Sequence, residues 1–248
     1  MFKVRIKLVA FLGNQETYPC HMNHKVGDEV IFDGRSYTGD LCPDVWPRIT
    51  QLVASLFHAG PRYADPMSHS VFWYAPVSVH DDNYRKYDGM GFRNVLKTIR
   101  EPEYHMANLT IPGAFTWPPP ANGTMLQEVT VMCPDVRTSA VFSLEAFDLA
   151  DAGYSTPYFR RQMSMLDKIV KKPGLTAADI SGEFSPNLVM DIYPPLVPEM
   201  ITPLLDEMEL IHFVQREGGR YYCTEAGQRR LEGFKAGLGP VEREALEL

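Results

Sequence analysis

Only four of the 248 residues are cysteine, and no Cys-x-x-Cys pair occurs among them. Cys20, Cys42, Cys133 and Cys223 stand far apart, which excludes the spacing of a zinc finger or ribbon and, in a reducing cytosol, argues against a disulfide framework. Long apolar runs are missing too. No stretch approaches the ~20 residues that a membrane-spanning helix needs, and the run after "MFKVRIKL" is too short for the core of a secretory signal. The chain reads as cytoplasmic, so the sequons at Asn108 and Asn122 carry no glycan. Basic charge is scarce: 24 Lys and Arg stand against 31 Asp and Glu, a net charge of −7. A nucleic-acid binder needs Lys and Arg to displace counterions from phosphates, so a small or neutral partner fits better. No Gly-rich loop leads into Lys-Ser/Thr, and "GMGFR" reads as a tight turn, not a phosphate cradle.

What is present is a chain 45% hydrophobic, long enough to bury a sizeable core. Val4, Ile6 and Leu8 alternate with Lys3, Arg5 and Lys7, the period of a half-buried strand. "DEVIFDG" gives a second strand, ended by a turn at Gly34. Trp46, Ile49, Leu52, Val53 and Leu56 recur at helical spacing, with Gly60 as a stop, so Cys42 and Pro43 lie at a helix entrance. Free N–H groups there favour a thiolate. "LQEVTVMCPDVRTSAVFSLEAF" supplies two more strands, Glu128 to Cys133 and Ala140 to Phe147, joined by a turn.

Residues 61–124 between them are rich in Pro, Tyr, Trp and His and show little periodicity apart from a helical run at "FRNVLKTI". A long irregular insertion of this kind serves as a lid or binding loop. It holds His69, Trp73, Tyr74, His80, Asp81 and Tyr84. Aromatic walls with a few polar groups build small-molecule pockets, and a His beside carboxylates can move protons. The competing reading is a loop packed on the core, with His80-Asp81-Asp82 a solvated turn.

From about Asp151 the pattern turns helical: "STPYFRRQMSMLDKIVKK" stopped at Pro173-Gly174, a capping box at Thr176 with Asp179, and "PEMITPLLDEMELI" with Pro203 near its first turn. A hairpin about Glu217-Gly218-Gly219 and a last helix follow. "YYCTEAGQRRLEGF" resembles the wing strand and closing helix of MarR/PadR-like winged-helix domains, which implies that fold for 151–248. The helix that would read DNA there carries Glu199, Asp206, Glu207 and Glu209 and no Lys or Arg, which turns the expectation from DNA to protein association, as a homo-oligomer. Cys223, on the wing strand, reads as a small hydrophobe.

Cys20, His24, Cys42 and Cys133 each lie at a strand end or a helix start, where a small sheet can gather them. Soft N and S donors are what tetrahedral zinc takes, and cysteine-rich sites also hold iron–sulfur clusters. The alternative is two buried cysteines, one loop cysteine and a solvent histidine. "CHMNHKVGDEV", "GDLCPDVW" and "VTVMCPDV…AVFSLEAF" resemble the three signatures of a small, functionally uncharacterised prokaryotic domain family: Cys-x-x-Gly-His-Lys-Val-Gly-Asp, Gly-x-Cys-Pro and Val-x-Cys-Pro-Asp-Pro. The likeness covers about residues 1–60 and 125–148, and it implies a three-cysteine site at Cys20, Cys42 and Cys133 with His24. Two positions depart from it, Asn23 for glycine and Val136 for proline.

These readings predict an α+β chain. Residues 1–150 form a small mixed or antiparallel sheet with one helix and the irregular insertion; residues 151–248 form a helical winged-helix domain. The leading functional expectation is a zinc enzyme, with an iron–sulfur cluster as the alternative cofactor, acting as a hydrolase or lyase on a small aromatic or cyclic metabolite. Cys20, His24, Cys42 and Cys133 are the metal ligands, and His24, His80 and Asp81 the acid/base candidates. His69, Trp73, Tyr74 and Tyr84 line the substrate. Two other classes stand beside it: a metal- or redox-sensing winged-helix regulator, and an enzyme using Cys42 as a nucleophile without metal.

Overall fold

The computed structural model describes residues 1–13, 15–63, 83, 129–135, 137–186 and 195–248, together with the backbone of 71–74 and 104–107. The fold is α+β with antiparallel sheets. The chain divides into two compact units: a first unit of Lys3–Phe32 and Ser36–Ala146, and a second of Met1–Phe2, Asp33–Arg35 and Phe147–Leu248.

The main sheet has five strands in the order β3-β2-β1-β7-β6. They are β1 (Phe2–Gly13), β2 (Glu29–Phe32), β3 (Tyr37–Thr38), β6 (Val129–Met132) and β7 (Thr138–Leu149). On β1 the alternation places Phe2, Val4, Ile6 and Leu8 on the buried face, each worth about 1.5–3 kcal/mol as an upper estimate. The opposite face carries charge pairs across strands: Arg5 with Glu29 and Glu145, and Lys7 with Glu29 at 3.0 Å. A one-residue slip of β1 against β2, registered Val4↔Phe32 and Ile6↔Val30, would exchange these faces, so burial fixes the register. Helix α1 (Trp46–Ala59) buries Ile49, Val53, Leu56 and Phe57. It sets Phe57 edge-on to Phe32 and Trp46 against Tyr37, and Gly60 at φ 61° ends it.

Helix α1 begins at Trp46, with Cys42 and Pro43 in the turn that enters it; Val45 and Trp46 donate to the Cys42 carbonyl. One expectation needs correction. The insertion is not irregular throughout, because Val71–Tyr74 (β4) and Tyr104–Ala107 (β5) pair as antiparallel strands. Four-residue strands are too short for alternation to show, though "VFWY" has the β-branched and aromatic content that strands favour. The run "FRNVLKTI" and Val136 lie outside the described residues.

The second unit contains α2 (Thr156–Lys171), α3 (Ala177–Ser181), α4 (Pro198–Leu210), the hairpin β8 (Val214–Glu217) and β9 (Arg220–Cys223), α5 (Glu225–Ala236) and α6 (Pro240–Ala245). Thr176 and Asp179 form the reciprocal capping box, and Gly218 and Gly219, both at positive φ, make the hairpin turn. Pro203 lies inside α4, beyond its first turn. Burial of Ile201, Leu204, Leu205 and Met208 on that helix offsets the hydrogen bond it forfeits. On α2 the fully buried Asp167 is balanced by Lys171 and Lys235, as a buried carboxylate must be. Among the described residues, no helix is long and apolar enough to cross a membrane.

Candidate metal centre

Within the first unit, one cavity is lined by Cys20, His21, His24, Cys42, Cys133, Asp135, Thr138, Ala140 and Phe142. Three loops meet there. The first runs from β1 to β2. Its turn is closed by Asn23 N–H donating to the Cys20 carbonyl at 2.8 Å, and it is tied to β1 where Gly27 N–H donates to the Leu8 carbonyl and Leu8 N–H to the Asp28 carbonyl. Asn23 stands at φ 55°, a left-handed conformation that Asn tolerates best after glycine. The loop thus keeps at Asn23 a backbone that glycine would allow.

His24 is only 7% exposed. Its Nδ1 lies 3.5 Å from Asp28 Oδ2, and Asp28 is itself held by Lys25 N–H at 2.8 Å. Phe142 packs edge-on to the imidazole at 6.3 Å. The other ring nitrogen, Nε2, is buried with no hydrogen-bond partner, and so is Thr138 Oγ1 on the same cavity. Unpartnered buried polar atoms are costly, at about 1–3 kcal/mol each, and two on one cavity point to something that belongs inside it.

The turn before α1 supplies Cys42, 3% exposed, with Sγ 3.8 Å from His21 Nε2 and 3.9 Å from Asp44 Oδ2. Among the described residues, His21, Cys42 and Asp44 form the group whose three ligand atoms all lie within 4.8 Å of one another. The turn from β6 to β7 supplies Cys133, whose N–H donates to the Ala140 carbonyl at 2.8 Å. Burial pushes its thiol up to about 11, with the neighbouring Cys42 and Asp135 acting in the same direction. Asp135 is half-buried, which alone would raise its carboxyl, but hydrogen bonds from the Arg137 guanidinium and N–H hold it below the usual range. Cys20 is half-buried, whereas His21 and Asp44 are exposed, so the cavity has a wet rim and a dry floor.

The cavity measures about 10 Å³, room for a single water-sized occupant. Pockets for small organic ligands are roughly 300–1,000 Å³. All four cysteines are free thiols. Cys223 lies on β9 in the second unit, its Sγ turned to the Thr224 carbonyl at 3.3 Å. The chain matches no family model, no curated protein and no solved structure.

The structure therefore brings Cys20, His24, Cys42 and Cys133 to one cavity, and adds residues to which sequence reasoning gave no site role. His21 and Asp44 were within reach of it: each neighbours a ligand candidate, in Cys-His and Cys-Pro-Asp. Thr138 was not, because nothing local marks a strand threonine as lacking a partner. Of the insertion, Trp73 and Tyr74 lie on β4, their backbones paired with His105 and Tyr104. Their side chains, and all of His69, His80, Asp81 and Tyr84, fall outside the described residues.

Proposed function

We propose that the first unit binds a single zinc ion, with Cys20, Cys42, Cys133 and His24 as its ligands. The observation that carries this reading is the buried, unpartnered His24 Nε2 on a cavity shared with three thiols. An unpartnered imidazole nitrogen on a dry floor is costly unless a cation joins it, and three S donors with one N suit tetrahedral zinc. Space for one atom supports a mononuclear ion over an iron–sulfur cluster. Elemental analysis of the full chain purified without added metal, with an absorption spectrum, tests it. One zinc per chain and no visible band is the expected result; iron with a visible band would move the assignment to a cluster.

Asp28 would serve as the outer partner of His24, fixing the tautomer that leaves Nε2 free to bind. Partners of this kind are worth about 10–100-fold in metal affinity. Asp28→Ala is therefore expected to weaken zinc binding by that amount, and Asp28→Asn, which keeps an acceptor oxygen, by less. A competition titration against a chromophoric chelator measures both, and equal affinities in all three proteins would remove Asp28 from the site.

With all four protein ligands bound, the zinc would have no open position and would be structural. With His24 acting instead as acid/base, the ion held by the three thiolates would polarise a carbonyl or activate water at the position left open. We extend the proposal to a hydrolase or lyase on that basis. The exposed His21, at the rim, is placed to carry a proton between solvent and the cavity. The insertion, with His69, Trp73, Tyr74 and Tyr84 toward an aromatic or cyclic substrate and His80 and Asp81 as an outer acid/base pair, would complete it. The 3.8 Å approach of Cys42 Sγ to His21 Nε2 supports one second reading, Cys42 as a metal-free nucleophile. Rapid alkylation of Cys42 in metal-free protein that keeps its turnover would favour it.

For the second unit, the order helix, helix, helix, hairpin, helix supports a winged-helix fold used for self-association. Helix α4 bears Glu199, Asp206, Glu207 and Glu209, and the nearby Arg216 is already engaged by Asp206 and Glu209. Arg230 is held by Asp148 and Asp151. With few basic groups left to release counterions, duplex DNA binding is expected to be undetectable at physiological salt. Salt-sensitive, sequence-selective binding at nanomolar protein would turn the assignment to a regulator.

A further inference from the structure

We infer that His21, Cys42 and Asp44 form an entry station through which zinc reaches the cavity, a second and labile position that shares Cys42 with the buried one. The inference rests on the zinc reading above and deepens it. Three features of the site carry it. First, the trio offers an imidazole nitrogen, a sulfur and a carboxylate oxygen, all within 4.8 Å of one another, a donor set zinc accepts with water completing the tetrahedron. Second, the trio straddles the surface: His21 and Asp44 are exposed, while Cys42 is 3% exposed and lines the cavity. Third, a ligand waits behind it, for His24 is more than nine-tenths buried and its Nε2 has no partner on that same cavity.

The physical reason for such a station is the cost of desolvation. A divalent ion that shed its water before meeting new ligands would lose several kcal/mol or more on the way to a dry floor. Handing it over one ligand at a time avoids that state. Asp44 and His21 replace the first waters at the rim, and Cys42 binds next, its thiol proton leaving to solvent. Cys42 then holds the ion while Cys133, Cys20 and His24 Nε2 replace the rim donors, the two further thiols also losing their protons to solvent as they bind. His21 and Asp44 end free again.

A station of this kind lowers the barrier in both directions and leaves the end state alone. Metal-free full-length protein would be mixed with zinc in a stopped-flow instrument with a fluorescent zinc indicator, and release from loaded protein would be followed after excess chelator. His21→Ala, Asp44→Asn and their combination are surface changes, so folding is not at stake. In the double variant, uptake and release are both expected to slow by about tenfold, with final stoichiometry and equilibrium affinity unchanged. His58→Ala, an exposed histidine on α1, should match the wild type. Rates unchanged in the double variant, with the wild type binding zinc normally, would overturn the station alone. Loss of stoichiometry in that variant would also overturn it, since His21 and Asp44 would then be permanent ligands. A wild type that takes up no zinc would overturn the underlying reading instead.

Discussion

Cys133→Ser is expected to lose most of the bound zinc and to melt about 10 °C below the wild type, while Cys223→Ser keeps both its zinc and its melting temperature. The magnitude follows from mass action. An ion present at a thousand times its dissociation constant stabilises the folded state by about 4 kcal/mol, and each kcal/mol moves Tm by roughly 2–4 °C in a protein of this size. The sheet core of Phe2, Val4, Ile6 and Leu8 does not include the substituted residue, so the fold should survive where a minimal zinc finger would not. Cys20→Ser and Cys42→Ser should follow Cys133→Ser. Acidification should mimic them. The Cys133 thiol, pushed up to about 11 by burial, keeps its proton at neutral pH in the metal-free protein, so zinc uptake releases a proton and affinity falls as pH falls. Full stoichiometric zinc in all three serine variants would remove the cysteines from any metal site.

A second large effect is expected at Gly227, in the first turn of α5. Alanine is preferred to glycine in a helix by about 1 kcal/mol, which taken alone predicts stabilisation. Packing reverses the sign. A Cβ at Gly227 would lie 2.2 Å from the Phe213 carbonyl oxygen and 3.1 Å from Cys223 Sγ. That carbonyl cannot retreat freely, because Thr224 N–H and Oγ1 both donate to it, at 3.0 and 3.2 Å. Gly227→Ala is expected to cost about 3 kcal/mol or more, at the upper end for overpacked sites. Gly233→Ala, two turns along the same helix with nothing within 4 Å of its Cβ, should stabilise by about 0.5–1 kcal/mol. Urea titrations at constant m-value resolve both, and a Gly227→Ala protein as stable as the wild type would refute the clash.

The same contrast, between a local rule and what packs against it, separates the legible parts of this chain from the rest. Strand β1 could be read because burial of one face imposes a period of two on Phe2 to Leu8. Helix α2 could be read because Phe159, Met163, Leu166 and Ile169 face one core. The Thr176–Asp179 capping box is a contact between residues three apart. The start of α1 could be read because Trp46 opens the helical spacing that Ile49, Val53 and Leu56 continue. Strands β4 and β5 were missed because each is only four residues long and needs the other, about thirty residues away, to exist.

For the candidate site, the sequence by itself determined the donor types: three cysteines and His24, beside turn-forming residues that end strands. It also determined the acidic balance that weighs against DNA. Which donors share a cavity was decided only by the tertiary structure. Cys20 follows β1, Cys42 precedes α1, and Cys133 follows β6 beyond the whole insertion. They meet because the sheet order sets β7 beside β1, which opens the β1–β2 loop and the β6–β7 turn at one end of the sheet. The same placement buries His24 Nε2 without a partner and leaves His21 and Asp44 at the rim. Strand order is fixed by the sum of long-range burial, and no local propensity of Cys20 or Cys133 encodes it. The chemistry available to the site was therefore written in residue types, and its geometry in the pairing of β1 with β7.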